Sequence, residues 1–181
     1  MFPRTKKQQQ RNSKKLILGS AGKGDSEAIT LDINPLHEPD VIHDLNQTPY
    51  PFGDNQFASI VAHHIVEHLK NLGPVLEELH RISAPEGCIH IEVPHHASWC
   101  ANDPFHILRF NYFSFDGFIQ GNKTWATGKK FVYLKKEITF HKFHRLFFLH
   151  KLFNKFPGFY ERFFCYIFPA EHLKVWLQPK K

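Results

Sequence analysis

The spacing of three apolar runs at the start of the chain limits its fold more than any other feature. "KLILG" (residues 15–19) is a short apolar run ending in glycine, and "AITLDI" (28–33) and the weaker "DVIHDL" (40–45) follow as β-type segments. Buried parallel strands read this way, as near-continuous apolar runs closed by turn residues. A parallel crossover usually takes about a dozen residues or more, because the chain must return along the sheet before it pairs again. Only eight residues separate Gly19 from Ala28, and six separate Ile33 from Asp40. The first one or two helices of an alternating α/β unit are therefore expected to be reduced to single turns or missing.

The remaining elements follow the same logic. "NQTPYPFGDNQ" (46–56) is dense in turn residues, and Pro49 and Pro51 lack backbone donors, so a loop is expected. "FASIVAHH" (57–64) reads as a fourth strand, and "IVEHLKNLGPVLEELHRISA" (65–84) carries apolar residues at helical spacing. Leu72, Val75, Leu76 and Leu79 share one stripe, Pro74 suits a first turn, and "APEG" (84–87) supplies a stop. "CIHIEVPHH" (88–96) alternates as a fifth strand, and "YFSFDGFIQ" (112–120) reads as a helix with Asn111 or Ser114 as N-cap. "KFVYLKKEITF" (130–140) and "HLKVWLQ" (172–178) complete seven strands, the last two as an antiparallel pair. The fold class is α/β, with a mostly parallel sheet.

Composition sets the domain plan. A chain of 181 residues that is 42% hydrophobic suits one domain over 15–181, divided into halves 15–96 and 97–181. The basic stretch 1–14 is expected to be a disordered tail. It has no apolar h-region, so no secretory signal is expected and a cytoplasmic location follows. Cys88, Cys100 and Cys165 are odd in number and widely spaced, which excludes a disulfide framework and a CxxC metal site. The net charge of +6 is concentrated before residue 16 and after residue 123. Such flanks attract nucleic acid, anionic lipid or phosphorylated substrates, and charge alone does not choose among them.

Six short stretches in order resemble the class I S-adenosylmethionine-dependent methyltransferases, in particular their short type 11 group: "LGSAG" (18–22), "LDINP" (31–35), "HDL" (43–45), "PFGDNQFASIV" (51–61), "HHIVEHL" (63–69) and "LEELHRISAPEGCIHIEVP" (76–94). The resemblance implies a Rossmann-like methyltransferase sheet and S-adenosylmethionine as cofactor. It makes Gly19, Ser20, Ala21 and Gly22 the bend that meets the methionine end, where bulky side chains would collide. It places Asp32 with Ile33 at the ribose diol, Asp44 with Leu45 at the adenine, and His63 beside the cofactor. Three positions depart from the family pattern: Ile17 and Ala58 where acids are common, and Ala21 where glycine is.

His63 and His64 close strand four, where open α/β sheets bring cofactor and substrate together, and either is a candidate general base. His96, Trp99, Asp103, His106 and Arg109 are the candidate acceptor contacts. No metal is expected. The candidate ligands, were one bound, are His64, Glu67 and His68, spaced i, i+3, i+4 where some RNA and quinone O-methyltransferases, which the segment resembles, have a Glu-x-x-Glu-His site. The function implied is methyl transfer to oxygen or nitrogen of a small-molecule, glycan or lipid-precursor acceptor, with sugar or cell-envelope precursors favoured. The rival reading is a non-catalytic methyltransferase-like module that docks a membrane or a protein. The stretch 140–168 interleaves aromatic and basic residues, which suits packing against the sheet or peripheral contact with an anionic membrane. It carries no nucleic-acid-binding signature, so nucleic acid is not an expected partner.

Overall fold

The computed structural model describes residues 15–22, 27–120, 130–142 and 148–181. The tail 1–14 lies outside the described residues. Seven strands form one sheet: β1 Lys15–Leu18, β2 Ala28–Asp32, β3 Val41–Ile42, β4 Phe57–His63, β5 Ser83–Pro94, β6 Phe131–Phe140 and β7 Ala170–Pro179. Their order is β3-β2-β1-β4-β5-β7-β6. The first five run parallel, and β7 is antiparallel to both β5 and β6. The expected closing antiparallel pair is thus present, with β7 inserted inside β6.

The short early connections behave as their length requires. Between β2 and β3 stands only a 3-10 turn, Pro35–His37, capped by the Asn34 side chain. β3 is two residues long, shorter than the run expected from 40–45. With so little strand beside it, β2 leaves a backbone amide without a ladder partner, and a side chain supplies one. Asp40 Oδ2 accepts from both Thr30 N and Thr30 Oγ1, at 2.9 and 3.0 Å.

The long helix of the parallel half is α1, Leu72–Ile82, which buries Val75, Leu76, Leu79 and Ile82. Asn71 caps it by accepting from Gly73 N at 3.0 Å, satisfying an amide that has no partner inside the helix. Residues 65–69, expected to be helical, form only a 3-10 turn at Val66–His68. α1 also explains the proline-rich loop before β4. Arg81 donates to Phe52 O, Tyr50 O, Asp54 Oδ1 and both Glu78 oxygens, using all five of its N–H groups. Glu78 Oε2 accepts from Tyr50 N at 2.6 Å, so helix and loop are clasped from both sides. The helix ends at Ile82, before "APEG", and β5 already begins at Ser83, so "APEG" lies inside the strand, where the pairing with β4 jumps from Ser83 to Cys88.

Three further helices follow: α2 Asp116–Gln120, α3 Leu149–Lys155 and α4 Pro157–Phe163. The helix expected over 112–120 is shorter because Asn111 and Ser114 bond to each other's segment as a turn instead of capping it. α3 and α4 pack Phe153 and Tyr160 against Phe140 of β6, with ring centroids 4.9–5.6 Å apart. The buried Tyr160 hydroxyl donates to Phe168 O and accepts from Ala170 N, so its polar end costs no unpaired group. Asn154 of α3 bonds both backbone groups of Ile138, at 2.8 Å each, on the free side of β6.

Candidate functional site

The carboxyl ends of β1, β2 and β4 gather the residues read as cofactor-binding. Gly19, Ala21 and Gly22 all have positive φ, at 63°, 46° and 77°. At Gly19 the need for glycine comes from the protein itself: an added Cβ would stand 2.7 Å from the Ile65 side chain. Gly22, by contrast, has nothing among the described residues within 4 Å of that position. Ser20 is buried.

Asp32 closes β2 under this bend. Its Oδ2 accepts from Ala21 N at 3.0 Å and lies 3.1 Å from His37 Nδ1, and its Oδ1 accepts from Asn34 N at 2.9 Å. Burial pushes its pKa up, but the Asn34 and Ala21 amides and His37 outweigh it, and the carboxyl is held below its ordinary value. Beside this anion, Ile33, Leu36 and Ile42 are 61%, 86% and 61% exposed, an uncovered apolar ledge. Asp44 accepts from Asn46 N and Nδ2, both at 2.9 Å, and remains partly exposed. Leu45 does not line the surface; it is buried in the core, its carbonyl held by Tyr50 Oη.

The two histidines that end β4 diverge. His63 Nε2 lies 2.9 Å from His90 Nδ1, and His90 stacks on Trp176 with centroids 4.3 Å apart. Burial lowers both rings, His90 to about 4, so this pair is neutral near pH 7 and can hold a lone pair toward a proton donor. His64 takes a left-handed backbone, φ 51°, and its Nδ1 stands 3.3 Å from Glu67 Oε1. The carboxylate raises its pKa against the opposing effect of burial. His64, Glu67 and His68 do not share a helix face, because only Val66–His68 is helical and as a 3-10 turn. The histidine edge extends to Glu92 and His172, which lie 3.7 Å apart, with Lys174 on the other Glu92 oxygen at 2.9 Å.

Sequence reasoning missed His90, Glu92, His172, Lys174 and Trp176. The signal was available: in "CIHIEVP" and "HLKVW" these residues alternate with apolar ones, so they share one sheet face, and the strands pair His90 with Trp176 and Glu92 with Lys174.

The candidate acceptor residues are held by different partners. His96 bonds Glu161 Oε2 at 3.2 Å beside the fully buried His95, which bonds Oε1 at 3.0 Å. Trp99 is 80% exposed, and Asp103 is spent on Phe105 N. His106 packs edge-on against His68, centroids 4.7 Å apart. Arg109 donates to Ala101 O and lines a cavity of about 790 Å³ with Lys70, Leu72, Leu108, Phe110 and Phe118. That cavity adjoins the start of α1, and Lys70 N donates to Asn46 of the loop that carries Asp44. Lys70 and Arg109 are matched there by Glu77 and Glu78, and charged groups of both signs beside apolar walls are the mixture that holds a polar ligand with an apolar face.

Comparison with known proteins agrees with the fold. The profile of a family described as methyltransferase domain, type 11, matches residues 24–91. No curated protein matches the chain. Among solved structures, it is similar to a SAM-dependent methyltransferase from Archaeoglobus fulgidus (TM-score 0.61, 15% identity, 94% of this chain and 87% of that one). It is also similar to an S-adenosylmethionine-dependent methyltransferase from Mesorhizobium loti (TM-score 0.55, 11% identity, 96% and 95%). A third is the YcgJ protein of Bacillus subtilis (TM-score 0.57, 10% identity, 95% and 93%). The family match begins beyond the Gly19 bend.

Proposed function

From the premise that the chain carries a type 11 methyltransferase domain on the class I methyltransferase fold, whose implied cofactor is S-adenosylmethionine, we propose that it transfers a methyl group to oxygen or nitrogen of a sugar or cell-envelope precursor. One observation carries the reading: an ionised Asp32 at the end of β2, flanked by the exposed Ile33 ledge and the bend at Gly22. A carboxylate has about four lone-pair positions, and three are filled here. The third belongs to the half-exposed His37, which a ribose hydroxyl can replace by a stronger contact to the anion. Ile33 then offers an apolar surface to the adenine, and Asp44 an acceptor. When bound, the cofactor supplies an electrophilic methyl on a sulfonium. The chain's part is to orient the acceptor, and the neutral His63–His90 pair is placed to take its proton.

The acceptor class is supported by the cavity lined by Lys70 and Arg109, and by the outer surface of α3 and α4. Phe148, Phe156, Phe159, Phe163, Tyr166 and Ile167 are each at least 50% exposed there, among the exposed Lys151, Lys155 and Arg162. The only acid in 148–168, Glu161, turns inward to His95 and His96. An aromatic and cationic surface of this kind suits an anionic bilayer that delivers a lipid-linked acceptor. No helix among the described residues is long and apolar enough to cross a membrane.

A second reading has its own support. Ile65 lies against Gly19, and Ala21 N–H occupies Asp32, which fits a module that keeps the fold without turnover. Calorimetry with S-adenosylmethionine and S-adenosylhomocysteine separates the two. A binder gains about 2.7 kcal/mol of stability at a hundredfold excess over its Kd, and Asp32→Ala abolishes that gain with the fold retained. Binding without transfer of labelled methyl to any glycan or lipid precursor tested would favour the module; no binding by the intact chain would overturn the enzyme reading. Sedimentation with anionic vesicles, compared with neutral ones, tests the membrane surface, and equal failure with both removes it.

A further inference from the structure

Glu67 is 1% exposed, and neither of its carboxylate oxygens has a hydrogen-bond partner among the described residues. An ionisable group so deeply buried is costly without compensation, and His64 stands beside it at 3.3 Å. Two other side chains converge on the same point. His68 Nδ1 lies 3.1 Å from Phe105 O, and since a carbonyl only accepts, Nδ1 carries the proton and Nε2 the lone pair. His106 Nδ1 is buried and also without a hydrogen-bond partner. One ligand-type atom from each of Glu67, His68 and His106 lies within 4.8 Å of the other two.

The backbone fixes this meeting. Ile107 N and Leu108 N both donate to Glu67 O, at 2.8 and 2.9 Å, so the loop carrying His106 is tied to the residue whose carboxylate it faces. The Phe105 carbonyl comes from the same loop. A histidine whose outer N–H is held by a backbone carbonyl has its tautomer and ring plane set for metal ligation. Two imidazoles and one carboxylate are a donor set for zinc or another divalent transition metal.

We propose that Glu67, His68 and His106 bind one divalent transition-metal ion. The ligand set includes His106 from the loop after β5 and leaves out His64, which neighbours Glu67 Oε1 at 3.3 Å. The site stands whether or not the chain transfers methyl groups.

The test uses the full, tag-free chain equilibrated with Zn²⁺ or Co²⁺, freed of excess and measured by elemental analysis and visible absorption. The expected result is one ion per chain, with cobalt ligand-field bands, and binding weakened roughly tenfold or more in Glu67→Gln and in His106→Ala. His90→Ala, in the neighbouring histidine cluster, leaves binding unchanged. Should Glu67→Gln fail to fold by circular dichroism, His106→Ala, in a surface loop, decides. An intact chain that retains no ion overturns the proposal, as does a His106→Ala variant that binds as tightly as the parent or loss of the ion in His90→Ala.

Discussion

The two sides of the sheet are built by different means. β1, β2 and β3 have four, five and two residues, whereas β5, β6 and β7 have twelve, ten and ten. On the long side, antiparallel ladders satisfy the backbone and an aromatic layer of Phe140, Phe153 and Tyr160 fills the core. On the short side the chain has no room for crossover helices, and side chains do what ladders do elsewhere. Asp32 holds Ala21 and Asn34 amides, Asp40 holds Thr30, and Asn34 caps the turn that follows. Short connections therefore transfer backbone pairing to carboxylates, and the carboxylate most used in this way is Asp32, the one proposed to hold the cofactor ribose.

If that contrast is right, a core truncation on the long side has the largest effect. Tyr160→Ala is expected to cost about 3–5 kcal/mol in urea unfolding, since it removes a buried ring and leaves Ala170 N–H unpaired. Leu31→Ala on the short side is expected to cost less, about 2–3 kcal/mol; the reverse order would break the comparison. Next, Asp40→Ala should cost about 1–2 kcal/mol by leaving the Thr30 amide without its acceptor. No change there would show that β2 does not depend on that carboxylate.

Glu161 sharpens the comparison through pH. Burial raises its pKa, but hydrogen bonds from His95 and the Tyr112 amide outweigh this and hold it below the ordinary value. A carboxyl depressed in the folded state contributes stability above its unfolded pKa, about 4.3, and loses it as pH falls through the lower folded value. The stability difference between the parent and Glu161→Gln should therefore shrink as the pH is lowered below that point; a constant difference would mean that Glu161 acts through packing alone. The smallest effect expected is at His37. His37→Ala should tighten S-adenosylmethionine binding by roughly threefold, since it frees one acceptor position on Asp32, and a weakened affinity in calorimetry would place the ribose elsewhere.

Much of this architecture is legible in the sequence, because strand periodicity and connection length are local properties. The seven strands, the antiparallel closing pair and the missing early helices all follow from them. The stretch 65–69 misled, since Ile65 and Val66 fit a helical stripe while tertiary packing of Ile65 on Gly19 holds the chain in a single turn. The site was less legible. Asp32 and His63 were placed by order along the chain, but that Asp32 would be filled by Ala21, or that Glu92 would meet His172, depends on which strands become neighbours. β7 enters between β5 and β6, and no pattern within residues 88–96 announces it.

The clasp between Asn154 and Ile138 has a consequence for how copies of this chain behave together. An outermost strand is an adhesive border on which another molecule can continue the pleat. One carboxamide mimics the missing neighbour at Ile138, close to the end of β6, so a would-be addition finds that residue's groups already taken. The same contact fastens α3 to the rim, which ties the exposed aromatic surface to the very feature that discourages fibres.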